Sequence, residues 1–199
     1  MKNKIILILG TFNPPTMAHV MMSHVLHEDY QGAFICYVVS NPDYVKKWKK
    51  SQHLLHMGTR AKLLFDALDC DYVEVSQYEG TEASNGTTIG TAEHYKFLGY
   101  DVTLCIGSDN LRSLPRWYMA QMLVKEFKFI VFCRKDEDMN VLPKELEPYS
   151  YNFIFKPYNY QGVSSTKVRE AYIAGNLDSV KNDIPENVYK YLKSNEGVF

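Results

Sequence analysis

Thr16 and His19 stand three residues apart at the end of the stretch GTFNPPTMAH, Gly10 to His19. With Thr16 as the N-cap of a helix, His19 becomes its third residue, and side chains at that spacing share one face. A hydroxyl and an imidazole would then face the same space as the unpaired backbone N–H groups of the first turn. The positive end of a helix, so equipped, favours a phosphate. Gly10 lets the backbone approach a ligand closely, and Pro14–Pro15 stiffen the turn. An isolated T-x-x-H is more often a capped helix with a locally bonded histidine, so the remaining residues have to decide.

Two further stretches shift that balance. VSSTKVR, Val163 to Arg169, follows an apolar run and opens a helical pattern. Its hydroxyls at Ser164, Ser165 and Thr166 and its first-turn amides form a second anion cradle, with Arg169 one turn in and able to grip phosphate bidentately. GSDNLRSLPRW, Gly107 to Trp117, begins where another apolar run ends. Asp109 there could accept hydrogen bonds from a ribose or a base, and Trp117 could offer a flat stacking face. A capping aspartate and a core tryptophan are the plain alternative. KKWKK, Lys46 to Lys50, is the only short basic run; it reads as a solvated loop in which Lys46 or Lys47 could meet a phosphate. The pairs His24/His27 and His53/His56 lack a third ligand at a recognisable interval, so no metal site is expected. Neither G-x-x-x-x-G-K-[ST] nor G-x-G-x-x-G occurs, against a P-loop enzyme or a dehydrogenase of the usual type.

The elements that must carry these residues alternate. Apolar β-rich runs at Lys4–Leu9, Phe34–Val39, Tyr72–Val75, Val102–Ile106, Lys128–Phe132 and Asn152–Phe155 predict strands covered on both faces. Helical patterns lie at His19–His27, Thr59–Leu68, Ile89–Leu98, Arg116–Lys125, Thr166–Ala174 and Glu186–Ser194, while Lys135–Ser150 reads as a connecting loop with room for one short turn of helix. Such alternation predicts an α/β, doubly wound parallel sheet with a small helical C-terminal part. In such sheets ligands bind at the carboxyl ends of strands, where strand order reverses.

Composition sets the outer bounds. The chain has 199 residues, 46% of them hydrophobic, which suits a single domain over 1–199. A formal net charge of −1 gives no basic field for nucleic acid or an anionic membrane. No stretch of 18 apolar residues occurs, and the N-terminal apolar run is too short for a signal peptide. Four cysteines are scattered singly at 36, 70, 105 and 133, three of them in apolar runs, so buried free thiols in a reducing cytoplasm are expected.

Taken in order, GTFNPPTMAH, GSDNLRSLPRW and VSSTKVR resemble the nicotinate (nicotinamide) mononucleotide adenylyltransferases, a family of the nucleotidyltransferase superfamily that carries an (H/T)-x-G-H signature. IPENVYKYL, Ile184 to Leu192, looks like the family's closing helix, so the resemblance covers nearly the whole chain. It implies a Rossmann-like fold and adenylyl transfer from ATP to nicotinate mononucleotide, giving deamido-NAD and pyrophosphate with Mg²⁺ as cofactor. It implies catalytic roles for His19, Thr16 and Arg169. The ATP site would comprise Gly10, Thr11, Phe12, Thr16, His19, Gly107, Asp109, Ser164, Ser165, Thr166 and Arg169. The mononucleotide would meet Lys46 or Lys47, Thr88, Asp109 and Trp117. The partners expected are ATP and a pyridine mononucleotide, with no nucleic acid and no membrane; self-association stays open. Thr16 stands where the nicotinate-specific branch usually has histidine, Ala18 where the signature has glycine, and Asn13 where an aspartate is frequent. The segment Y-T-x-D-T is represented by TTIGT, Thr87 to Thr91. Two alternatives remain: another adenylyl- or cytidylyltransferase of the same superfamily, with nicotinamide mononucleotide or pantetheine phosphate as acceptor, or a nucleotide-binding sensor that has lost turnover, with Ala18 and Gly90 as its marks. Retention of His19 and Arg169 favours the enzyme.

Overall fold

The computed structural model describes residues 3–49, 53–68, 70–133, 139–157 and 162–199, and at 47–49 the backbone alone. Six strands form one parallel sheet: β1 (Lys4–Gly10), β2 (Phe34–Val39), β3 (Val73–Ser76), β4 (Asp101–Gly107), β5 (Lys128–Cys133) and β6 (Phe153–Pro157). Their order is β3-β2-β1-β4-β5-β6, so strand order reverses at β1, which pairs β2 on one side and β4 on the other. Leu7, for example, lies opposite Cys36 on β2 and Leu104 on β4. Helices α1 (Met17–Asp29), α2 (Pro42–Lys49), α3 (Met57–Leu68), α4 (Thr88–Phe97), α5 (Ser108–Leu111), α6 (Ala120–Glu126), α7 (Ser165–Ile173) and α8 (Glu186–Ser194) complete it.

The apolar runs are continuous because both faces of the sheet are covered. Ile6 and Ile8 enter one core with Leu26, Tyr37 and Leu64, while Ile5 and Leu7 enter the other with Leu104, Leu123 and Phe129. Successive strand residues point to opposite faces, so a strand buried on both sides needs an apolar residue at each step. Each such side chain contributes roughly 1.5–3 kcal/mol of burial. A third cluster joins α7 and α8 through Val168, Leu177, Val188 and Leu192 to Leu55 and Leu63. Asn187 adds a hydrogen bond from its side-chain amide to the Leu63 carbonyl, 2.8 Å. This cluster holds the start of α7, and Arg169 with it, beside the carboxyl edge of the sheet.

Most elements lie within a residue or two of their sequence expectation; three do not. The basic run extends helix α2 instead of forming a loop. The helix expected over Arg116–Lys125 is split into a 3-10 turn, Leu114–Arg116, and α6, because Trp117 is extended and Met119 takes a left-handed φ of 52°. Lys144–Asn152 is 3-10 helical, longer than the one short turn expected in that loop, while residues 135–138 of the stretch lie outside the described residues. Cys36, Cys105 and Cys133 are buried free thiols, and burial pushes Cys36 up to about 11, which leaves it inert as a nucleophile. Among the described residues no helix is long and apolar enough to cross a membrane.

The exit of β1 is set by one close contact. A Cβ on Gly10 would lie 2.6 Å from Cζ of Phe12, whose ring is buried and packs edge-on against His19 and Tyr37. The ring has no room to give. Gly10→Ala is expected to lower stability by about 1–3 kcal/mol. Thermal unfolding would read this as a Tm several degrees lower, and an unchanged Tm would mean that the ring moves aside freely.

Candidate active site

A cavity of about 580 Å³ opens at the carboxyl edge of the sheet, where β1 and β4 end side by side. Gly10, Thr11, Phe12 and Asn13 line it from the β1 exit, and Ala18 and His19 from the start of α1. Gly107 and Asp109 come from the β4 exit, and Ser164, Ser165, Thr166 and Arg169 from the start of α7. Three stretches far apart in sequence thus meet around one space.

Thr16 is the N-cap of α1 but does not line the cavity; it is fully buried behind His19. Nδ1 of His19 accepts the backbone N–H of Thr16 at 3.0 Å and lies 2.9 Å from the Thr16 hydroxyl. An Nδ1 that accepts this N–H carries no proton, so the neutral ring holds its hydrogen on Nε2. The Phe12 ring meets the imidazole edge-on at 5.0 Å, and the Tyr37 hydroxyl donates to the His19 carbonyl. The ring is held by Thr16 at Nδ1 and by Phe12 edge-on, while Tyr37 fixes its backbone, and His19 lines the cavity.

At the start of α7 the hydroxyls serve mainly structure. Ser164 caps the helix by accepting from Lys167 N–H at 3.2 Å, and Ser165 donates to the Pro14 carbonyl at 2.8 Å. Arg169 donates from Nη1 to the Asn13 carbonyl at 2.7 Å and from Nη2 to the Thr166 hydroxyl at 3.1 Å. Burial lowers its pKa, with Glu170 opposing, yet a guanidinium stays charged at any physiological pH. A guanidinium and the first-turn amides of a helix on one side of a cavity give it a positive character that suits an anion.

A second cavity of about 380 Å³ is lined by Asn41, Asp43, Tyr44, Asn85, Gly86, Thr87, Arg116 and Tyr118. Thr87 caps α4 by accepting from Gly90 N–H, and Thr88 follows as the first helical residue without itself lining the cavity. Trp117 is half-buried against one core, and its indole N–H donates to Ser113 at 3.1 Å; it lines neither cavity. Lys46 is exposed on α2, and the side chain of Lys47 lies outside the described residues. Gly90 has a steric reason: a Cβ there would meet Oδ1 of Asn85 at 2.3 Å. Asn85 in turn accepts from both the N–H and the hydroxyl of Thr87.

Three residues carry more of the site than their sequence positions suggest. Asn13 is buried, donating from Nδ2 to the His53 carbonyl at 2.6 Å while its Oδ1 accepts Leu55 N–H at 3.0 Å. An aspartate could not make the first bond. Arg60, fully buried, donates to the carbonyls of Leu55 (3.0 Å), Thr11 (2.7 Å) and Ser40 (3.1 Å). Its pKa is lowered to about 10 by burial, with Glu79 opposing. Glu79, also buried, accepts from Asn41 N–H at 3.1 Å and from the Thr91 hydroxyl at 3.2 Å. A lone arginine or glutamate in an amphipathic stretch gives no sequence signal of this kind. No group of three His, Cys, Asp or Glu among the described residues is arranged to hold a metal. The acidic side chain among the residues lining the larger cavity is Asp109.

Comparison with known proteins agrees with this arrangement. The sequence model of the cytidylyltransferase-like family matches residues 7–171. A protein of Acholeplasma laidlawii named probable nicotinate-nucleotide adenylyltransferase is 29% identical, over 94% of this chain and 93% of that one. One of the same name from Caldicellulosiruptor bescii is 26% identical over 98% of both. In fold, the chain is similar to Plasmodium falciparum nicotinic acid mononucleotide adenylyltransferase complexed with NaAD. The TM-score is 0.78 over 98% of this chain and 97% of that one, at 16% identity. A six-stranded parallel sheet, a T-x-x-H helix start at its first strand and an anion cradle at its last stretch thus go with a match over most of the length: the chain belongs to the cytidylyltransferase-like family of nucleotidyltransferases.

Proposed function

We propose that the protein transfers the adenylyl group of ATP to nicotinate mononucleotide, giving deamido-NAD and releasing pyrophosphate. The observation that carries this reading is that His19 and Arg169 line one cavity from the starts of two different helices, with a second cavity beyond the β2 exit. The acceptor's phosphate oxygen attacks the α-phosphorus of ATP as the bond to the pyrophosphate oxygen breaks. No protein nucleophile is needed, so the chain's work is positioning and charge stabilisation. His19 Nε2–H donates to the α-phosphate oxygens as charge grows there, while Arg169 and the α7 amides hold the departing pyrophosphate. Mg²⁺ carried on the triphosphate would neutralise part of its charge, with Asp109 the residue to hold it.

Arg116 supports the acid over the amide as acceptor. It lines the second cavity together with the start of α4, and both answer a carboxylate better than a carboxamide. Asp43 also lines that cavity and opposes this, but it sits in the first turn of α2, where the helix end offsets its charge. The names of the relatives and the NaAD complex of the fold neighbour point the same way.

A pyrophosphate-release assay with ATP and each candidate acceptor tests the reading. The acid should exceed the amide at least tenfold in kcat/KM, a gap of about 1.4 kcal/mol; equal rates or a preference for the amide would sink the nicotinate assignment. His19→Ala should cut kcat about a hundredfold or more with little change in KM for ATP, and near-normal turnover would remove His19 from the mechanism. Thr16→Ser keeps the hydroxyl beside Nδ1 and should be nearly silent, whereas Thr16→Val should lose about tenfold in kcat; a silent valine variant would mean that the backbone N–H alone orients the ring. Arg169→Lys should weaken ATP binding and spare AMP, because an ammonium does not reproduce the guanidinium fork. Equal loss for both nucleotides would contradict its place at the pyrophosphate end.

A further inference from the structure

Arg60 has no contact with solvent, yet it donates hydrogen bonds to carbonyls in three different loops. Thr11 belongs to the β1 exit, which lines the larger cavity, and Ser40 to the β2 exit, which leads directly into Asn41, Asp43 and Tyr44 of the second. Leu55 is tied in turn to Asn13, again at the β1 exit. Ser40 also reaches back to β1, its hydroxyl and N–H both donating to the Gly10 carbonyl at 2.9 Å. Behind it, Glu79 holds Asn41 N–H and the Thr91 hydroxyl of α4, whose capped start lines the second cavity. For stability alone, a buried guanidinium is a poor choice against an apolar side chain of similar volume. What it supplies here is a fixed distance between loops.

We propose that Arg60 is a positioning residue that sets the spacing of the two half-sites, so that the acceptor phosphate and the α-phosphorus of ATP are held in line. The proposal rests on the adenylyl-transfer reading for its kinetic consequence, and on the loop geometry for the rest. Arg60 touches neither substrate. In-line attack depends steeply on alignment, and misplacement of about 1 Å can cost a hundredfold in rate. A defect in spacing therefore falls on kcat more than on the affinity of either substrate. Arg169 and Arg116, which sit in one cavity each, would change the binding of one substrate.

The test compares wild type with Arg60→Lys and Arg60→Met at a temperature where circular dichroism shows each folded. Arg60→Met should lose about a hundredfold in kcat, with Kd for ATP and for the mononucleotide each changed less than fivefold. Arg60→Lys, which can reach fewer of the three carbonyls, should recover only part of the rate. A folded variant of either kind with kcat within threefold of wild type would overturn the proposal and leave a purely structural arginine. If Arg60→Met does not fold, Arg60→Lys alone decides by the same threshold. Amide hydrogen exchange separates this from the proposed function. ATP bound to wild type should protect residues 11–13 and 40–41 together, and in Arg60→Lys residues 11–13 alone. Joint protection that survives in Arg60→Lys would overturn the positioning role whatever the acceptor is; a wild type that binds ATP but turns over no acceptor would overturn only the adenylyl-transfer reading.

Discussion

A guanidinium with no access to water must find its hydrogen bonds inside the protein, and Arg60 finds them in loops that a parallel sheet does nothing to hold together. The ladder hydrogen bonds of β1, β2 and β4 end where the strands end, so beyond Gly10, Val39 and Gly107 the chain is free of them. Apart from Gly10 and Gly107, which end their strands, the residues assigned to the site stand on that free side. The penalty for leaving buried carbonyls unpaired is roughly 1–3 kcal/mol each, which makes the set cooperative: loss of the arginine would release three groups at once. The same penalty explains why a charge is tolerated there at all.

From that anchor the β1 exit follows step by step. With Thr11 held by Arg60, Phe12 turns inward with φ 51° and its ring covers Gly10. The ring then walls one side of His19, and Thr16 holds Nδ1 from the other. The hydrogen on Nε2 is a consequence of the Thr16 N–H at Nδ1, and the packing of Phe12 fixes where the ring lies. Arg169 closes the circuit from the far end of the chain, since its bond to the Asn13 carbonyl ties the cradle at α7 to the same loop.

Periodicity made the sheet legible, because a strand buried on both faces has to be apolar at every step and the helices between strands do not. Motif spacing made the larger cavity legible: GTFNPPTMAH, GSDNLRSLPRW and VSSTKVR all lie on it. What stayed hidden were single residues whose partners are backbone carbonyls, Arg60 and Asn13 above all, since a carbonyl leaves no trace in a side-chain pattern. Trp117 was hidden for another reason. Its place depends on the left-handed turn at Met119, which interrupts a run that reads as one helix. The role of Thr16 was half visible: the cap could be read, but its burial behind the imidazole could not.

The departures from the family pattern bear on whether the chain has drifted away from its chemistry. Random loss would leave gaps where the usual side chains stood. Instead Asn13 makes two hydrogen bonds that hold residues 53 and 55, and an aspartate could make only one of them. The space beside Gly90 is filled by Asn85, which accepts from the N–H and hydroxyl of Thr87 and so orders the residue that caps α4. Thr16 supplies both a cap and a partner for Nδ1, where a histidine would bring neither the same size nor the same hydroxyl. Each of these three residues is matched by a specific contact of a neighbour, which is the pattern expected of a site under constraint, and the cavity keeps both the imidazole of His19 and the guanidinium of Arg169.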